Sequence, residues 1–160
     1  MLQAKLLKAN LSEANLSEAD LSGTNLSGVK LSNVNLSGAN LSGTNLSKVD
    51  LTGSNLTKAD LTGTKLVNAN LTGADLTEAN LSKANLANAI LFFSDLTDVT
   101  IEKEALDSAH LCHTKLPDGK MSKCNLAEAN LSGANLEGAN LTRANLVKAN
   151  LTEANLTKVN

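Results

Sequence analysis

Every fifth residue of the chain is apolar. In the column from Met1 to Leu156, 29 of 32 positions are Leu, and the exceptions, Met1, Ile101 and Met121, keep the apolar character. Two residues before each Leu stands a small residue, and from Ala4 to Val159 only Glu104 breaks that smallness. The position just before the Leu is Asn or Asp in 23 of 32 repeats, and the one after it is Ser or Thr in 20 of 32, so the polar positions are as periodic as the apolar ones. No insertion disturbs this phase from end to end.

A period of five matches neither the 3.6 of a helix nor the 2.0 of a strand. On a helix, leucines five apart would advance by about 500° and spiral over all faces. On a strand they would alternate between the two sides. The pattern demands a backbone that regains its orientation every five residues. Short extended pieces joined by tight turns do this, and Asn, Asp, Gly, Ser and Thr are turn formers for known reasons.

The runs A-N-L-S-G at 39–43, A-D-L-T-G at 59–63 and A-N-L-E-G at 134–138 resemble the pentapeptide-repeat family, whose consensus is A-(D/N)-L-x-x. The resemblance covers nearly the whole chain and is weakest at 100–124. It implies an all-β fold, a right-handed quadrilateral β-helix with four pentapeptides per coil. The Leu and the small residue two before it then point inward, and the other three point outward. Coils stacked at roughly 4.8 Å make about eight turns and a rod about 38 Å long. No coil buries its core alone, so stability comes from stacking. The domain expectation is one solenoid over 1–160, with an irregular segment at 100–124 inside it.

Composition agrees with a core of an unusual kind. There is no Trp or Tyr, and Phe92 and Phe93 are the only aromatics, so the interior must be built from Leu and Ala. Fourteen basic and sixteen acidic residues leave a net charge of −2, which favours neither nucleic-acid binding nor a strongly acidic mimic. No apolar run approaches a membrane span and no signal peptide is visible, so the default location is cytoplasmic, with thylakoid lumen or periplasm as the alternative if a targeting segment has been removed.

At 100–124 the frame survives but the consensus does not. Glu104 falls on an inward site, where an ionised carboxylate is costly. Ile101, Ala105, Leu106 and Ala109 have approximate helical spacing, Glu102 and Glu104 suit a first turn, and Thr100 is a candidate cap. The segment predicts a short helical excursion near 101–109 with Glu104 turned to solvent, a turn at Pro117-Asp118-Gly119, irregular coil around it, and regular repeats from 124. It also resembles an L-C-x-T-x-x-P-D-G segment found near the ends of some cyanobacterial and plastid pentapeptide proteins, although here eight regular repeats follow it. At the chain's start, Lys5-Leu6-Leu7-Lys8 is a candidate cover for the first coil. Otherwise the end coils expose unpaired edges, which predicts a homodimer by end stacking.

No nucleophile–base constellation can be assembled, so no enzyme activity, catalytic residue, metal or cofactor is expected. His110, Cys112, His113 and Cys124 cluster in sequence, but their spacing matches no common zinc signature. In regular coils Cys112 points out and Cys124 in, so they pair only if the segment leaves the coil. Stacking at 20 residues generates outward columns. One contains Lys83, Lys103, Lys123 and Arg143, a candidate surface for an anionic partner. Another places Ile90, Phe92 and Phe93 outward beside His110, Cys112 and His113. There they form either a partner site or a patch covered by the helical excursion. The function expected is a non-enzymatic scaffold or protein-interaction module with an unidentified protein partner and no nucleic acid or membrane. The alternative is a DNA mimic that binds DNA gyrase, as some members of the resembled family do, and the near-neutral charge argues against it.

Overall fold

The computed structural model describes residues 9–124 and 126–160. The candidate cover at 5–8 lies outside them. Each regular repeat is one turn and one bridge. The N–H of the small residue donates to the C=O of the Leu three before it, as Ala39 does to Leu36 at 3.0 Å. The third residue of the turn has φ near +60°, as at Lys58 (φ 58) and Gly63 (φ 65). That combination marks a type II turn, in which Gly is the least strained choice. Asn and Asp hold the turn from outside. The Oδ1 of Asn70 accepts the N–H of Thr72 at 3.1 Å and its hydroxyl at 2.6 Å, and Asp50 serves Thr52 in the same way. The asparagine and hydroxyl columns are therefore one device, an Asx turn repeated along the chain.

Coils pair with the coil twenty residues on. Parallel bridges run from Asn10–Lys30 to Asp95–Lys115, and each turn adds a rung, as when Gly63 N–H donates to Ser82 O at 2.9 Å. Asparagines also bond along the stack, Asn35 Nδ2 to Asn15 Oδ1 at 3.1 Å. Inside, Leu31 to Leu71 and the small residues beside them are fully buried. Where the small site holds a hydroxyl, that group finds a carbonyl: Thr64 Oγ1 donates to Leu41 O at 2.8 Å and Ser54 Oγ to Leu51 O at 2.7 Å. The buried polar group is thereby satisfied. This is the right-handed quadrilateral β-helix that the family resemblance implies.

The coils form two stacks. The first carries its ladder to the Asp98 N–H···O Pro117 rung. The second begins where Leu126 N–H donates to Asn145 O, and bridges Asn130–Asn150 and Asn135–Asn155 continue it. Between them the chain makes two departures. The first is a helix, α1, at Lys103–Asp107. It is shorter than the predicted 101–109, and its N-cap residue is Glu102 rather than Thr100, whose carbonyl instead accepts Leu81 N–H. Glu104 is exposed, as expected, while Ile101, Ala105 and Leu106 pack on the first core. By the pattern of the other turns, Lys83 N–H should reach the backbone carbonyl of residue 102. The Glu102 side chain takes that bond at 2.9 Å, so the departure leaves this donor satisfied, and the bond holds the carboxyl below its ordinary pKa.

Residues 110–117, read from sequence as irregular coil after the helical excursion, return to the ladder, with His110 N–H on Ala89 O and Lys115 N–H on Ser94 O. A register of twenty spans the helix because five helical residues replace one repeat without insertion. The second departure is the turn at Pro117-Asp118, closed by Gly119 N–H to Leu116 O and Leu116 N–H to Lys120 O, both 2.8 Å. Here the strand reverses: Lys115 and Met121 form an antiparallel bridge. The second stack therefore does not continue above the first. It lies beside it, sharing one apolar cluster with Ile90, Phe92 and Cys112.

Candidate functional site at the junction of the two stacks

At Ile90-Leu91-Phe92-Phe93 the inward Leu is kept, but apolar groups replace the outward Asn, Thr and turn residue. These side chains still point away from the first core, as the column reading requires. Phe92 and Ile90 are nevertheless buried, because Leu126, Ala129 and Leu131 of the second stack cover them. The structure thus removes Ile90 and Phe92 from the exposed partner surface expected from sequence. The cover is the second stack rather than the helical excursion. Phe93, half-buried, stacks its ring on His113 one coil on, with centroids 5.6 Å apart and planes at 17°.

Cys112 sits above Phe92 in the same column and is fully buried. The reversal at 115–121 returns the chain alongside Thr114, where Ser122 N–H donates to Thr114 O at 2.8 Å and Thr114 N–H to Ser122 Oγ at 3.0 Å. Two residues later Cys124 meets Cys112, their Cα atoms 4.0 Å apart, and the two form a disulfide. The segment leaves the regular coil, so the condition for pairing is met. Closing a loop with a sequence separation of 12 stabilises by about 3 kcal/mol on the chain-entropy account.

The imidazole of His113 completes a tight group. A ring nitrogen of His113 and the sulfur atoms of Cys112 and Cys124 all lie within 4.8 Å of one another. The Nε2 atoms of His110 and His113 are buried without a hydrogen-bond partner among the described residues. Burial also pushes the His110 pKa below the ordinary imidazole range, which favours the neutral ring. Sequence spacing failed to show this group because its closure depends on a chain reversal that no spacing rule encodes.

The cation column meets a different outcome. Lys83, Lys103, Lys123 and Arg143 are all exposed. Lys83 is a turn residue of the first stack, Lys103 opens α1, Lys123 lies between the stacks, and Arg143 is a turn residue of the second. No single ladder carries the four. A feature with no counterpart in the sequence reading is a cleft of about 530 Å³ between the stacks. Lys48, Asp50, Asn68, Asn70 and Asn88 line one wall, and Asn130, Ser132 and Asn135 the other. Asn70 Nδ2 reaches across it to Asn135 O at 3.3 Å.

No helix among the described residues is long and apolar enough to cross a membrane. No curated protein sequence matches the chain. Among solved structures it is similar to a pentapeptide repeat protein of Nostoc, alr5209, at 33% identity over 64% of this chain and 81% of that one, with a TM-score of 0.54. It is also similar to a pentapeptide repeat protein of the Arabidopsis thaliana thylakoid lumen, at 30% identity over 62% and 69% of the two chains, TM-score 0.40. A third is HetL of Nostoc, a pentapeptide repeat protein involved in heterocyst differentiation regulation, at 32% identity over 96% and 83%, TM-score 0.28. The model of pentapeptide repeats matches in eight copies that together span 3–102 and 106–160. Both stacks are thus built from the same unit, and the chain belongs to the pentapeptide-repeat family.

Proposed function

We propose that the protein is a non-enzymatic scaffold, acting as one module over 1–160, that holds an extended segment of a protein partner in the cleft between its stacks. The observation that carries this reading is the cleft's lining. Asn68 and Asn88, exposed at turn positions outside the Asx column, offer donors and acceptors together from one wall. The Nδ2 groups of Asn130 and Asn135, whose Oδ1 atoms accept within their own stack, offer donors from the other, which suits a peptide backbone. The hydroxyl columns elsewhere are engaged in Asx turns, so they support the fold. Lys48 and Asp50 place one charge of each sign at the rim, which suits a polar and weakly charged partner. The default compartment is cytoplasmic, and the Cys112–Cys124 disulfide favours the oxidising alternative.

A gyrase-binding mimic of DNA needs a sustained negative face. This chain instead pairs its charges between coils, Lys58 with Glu78, Lys148 with Glu128 and Lys158 with Glu137, and its net charge is −2. The test compares wild type with Asn68→Arg/Asn130→Arg in affinity capture from the source organism's lysate with quantitative mass spectrometry. A protein retained by wild type and lost by the variant supports the reading. Partners unaffected by the variant, or strong inhibition of gyrase supercoiling, overturn it.

A further inference from the structure

We propose that Cys112, His113 and Cys124 form a redox-gated site for a thiophilic divalent cation of the zinc class. The disulfide and the metal are alternative occupants of one pair of sulfur atoms.

The geometry carries this. Three atoms able to ligate lie within 4.8 Å of one another. In a tetrahedral site with metal–sulfur bonds of about 2.3 Å and metal–nitrogen bonds of about 2.0 Å, ligand atoms are separated by roughly 3.5–3.8 Å. The two sulfurs need only relax apart once their bond is cut. The group is already held in place on each side. Phe93 fixes the plane of the His113 ring, and the paired Thr114–Ser122 segments hold the two cysteines together. A buried imidazole nitrogen without a partner is rare and costly, and His113 Nε2 is one. Two thiolates and one imidazole are a soft donor set that selects zinc over magnesium or calcium. Three protein ligands leave a fourth position for water or a partner's side chain.

The gating follows from electron accounting. A dithiol reductant supplies two electrons and two protons to the Cys112–Cys124 bond. The S–S bond breaks, two thiols form, and the reductant leaves as its own disulfide. The divalent cation then displaces the two thiol protons to solvent and takes a neutral His113 nitrogen. Oxidation needs both sulfurs, so it expels the metal. In either state the loop stays closed onto the column above Phe92, and the second stack keeps its seat.

The experiment titrates Co²⁺ into the full chain, once oxidised and once reduced with a metal-free phosphine, and follows the sulfur-to-cobalt charge-transfer and visible ligand-field bands. Zinc is then used to displace the cobalt. The expected result is one equivalent bound by the reduced protein with tetrahedral bands, displaced by Zn²⁺, and none bound by the oxidised protein. Cys124→Ser abolishes the charge-transfer band, and His113→Ala weakens binding and alters the ligand-field band. Circular dichroism confirms that each variant is folded. Equal binding in both redox states, no binding after reduction, or an unchanged spectrum in His113→Ala overturns the proposal. Wild type alone decides the first two outcomes, so misfolding of a variant does not leave the idea untested.

Discussion

The burial of Phe92 predicts how the two stacks are joined. In the coil below, the same two outward positions are Asn70 and Thr72, whose side chains bond to each other at 2.6 Å. Replacing Ile90 by Asn and Phe92 by Thr restores that pair one coil on and leaves the inward Leu91 untouched. The first stack therefore loses nothing it needs. The second stack loses the ring, which is wholly buried in the shared cluster. Large-to-small changes at buried Phe cost about 3–5 kcal/mol. At about 1.4 kcal/mol per factor of ten, a loss of 3 kcal/mol raises local opening roughly a hundredfold. Native-state amide exchange, read by mass spectrometry peptide by peptide, reports local opening. Peptides from 126–160 should exchange about two orders of magnitude faster in the double variant, while those from 30–70 are unchanged. Protection retained throughout 126–160 would refute the reasoning, because the second stack would then not depend on the apolar seat. Equal loss in both regions would show that the outward pair supports the first stack instead.

Other expectations are simpler. Leu56 is fully buried mid-stack, so Leu56→Lys should abolish folding in thermal melts, whereas Lys58→Ala, at an exposed turn, should change stability by less than about 0.5 kcal/mol; equal tolerance of both would contradict the solenoid core. Glu104 is exposed on α1, so Glu104→Ala should be neutral or slightly stabilising. Limited proteolysis should nick near Pro117-Asp118-Gly119 before any other internal site, and a first cut within 50–90 would count against this order of local stability. His110 resists protonation because it is desolvated. Its folded pKa lies below the unfolded one, so the unfolded chain binds more protons in that window and stability falls as pH drops through it. His110→Asn should flatten the melting temperature between about pH 7 and pH 5 relative to wild type, and a parallel profile would exclude His110 as the cause.

The path from residues to fold was short over most of the chain. The five-residue period required a backbone that repeats its orientation, and the family resemblance implied which side chains face in, so that Leu56 and Ala59 were expected inside with the Leu and small residue of every repeat. Glu104 announced its own exception, since a carboxylate has no partner in a Leu/Ala interior. The Asx turns and the positive-φ turn residue were present as composition, but their bonds needed coordinates. Glu13 and Lys58 occupy the same left-handed position as Gly63, and no propensity rule selects them for it. The place of the second stack was beyond periodicity altogether. The phase runs unbroken through 108–160, so sequence counting extends a single ladder and aligns Lys83 with Lys103, Lys123 and Arg143. The chain reversal at 117–121 sends it elsewhere. That choice is made by long-range burial: Ile90 and Phe92 offer an apolar seat on the side of the first stack, and Leu126 and Leu131 occupy it. The Cys112–His113–Cys124 group exists only because of that packing, since residues twelve apart meet at 4.0 Å between Cα atoms when the coil is abandoned. Local periodicity determines orientation one repeat at a time. Which faces meet depends on the total apolar area removed from water, a property of the folded chain as a whole.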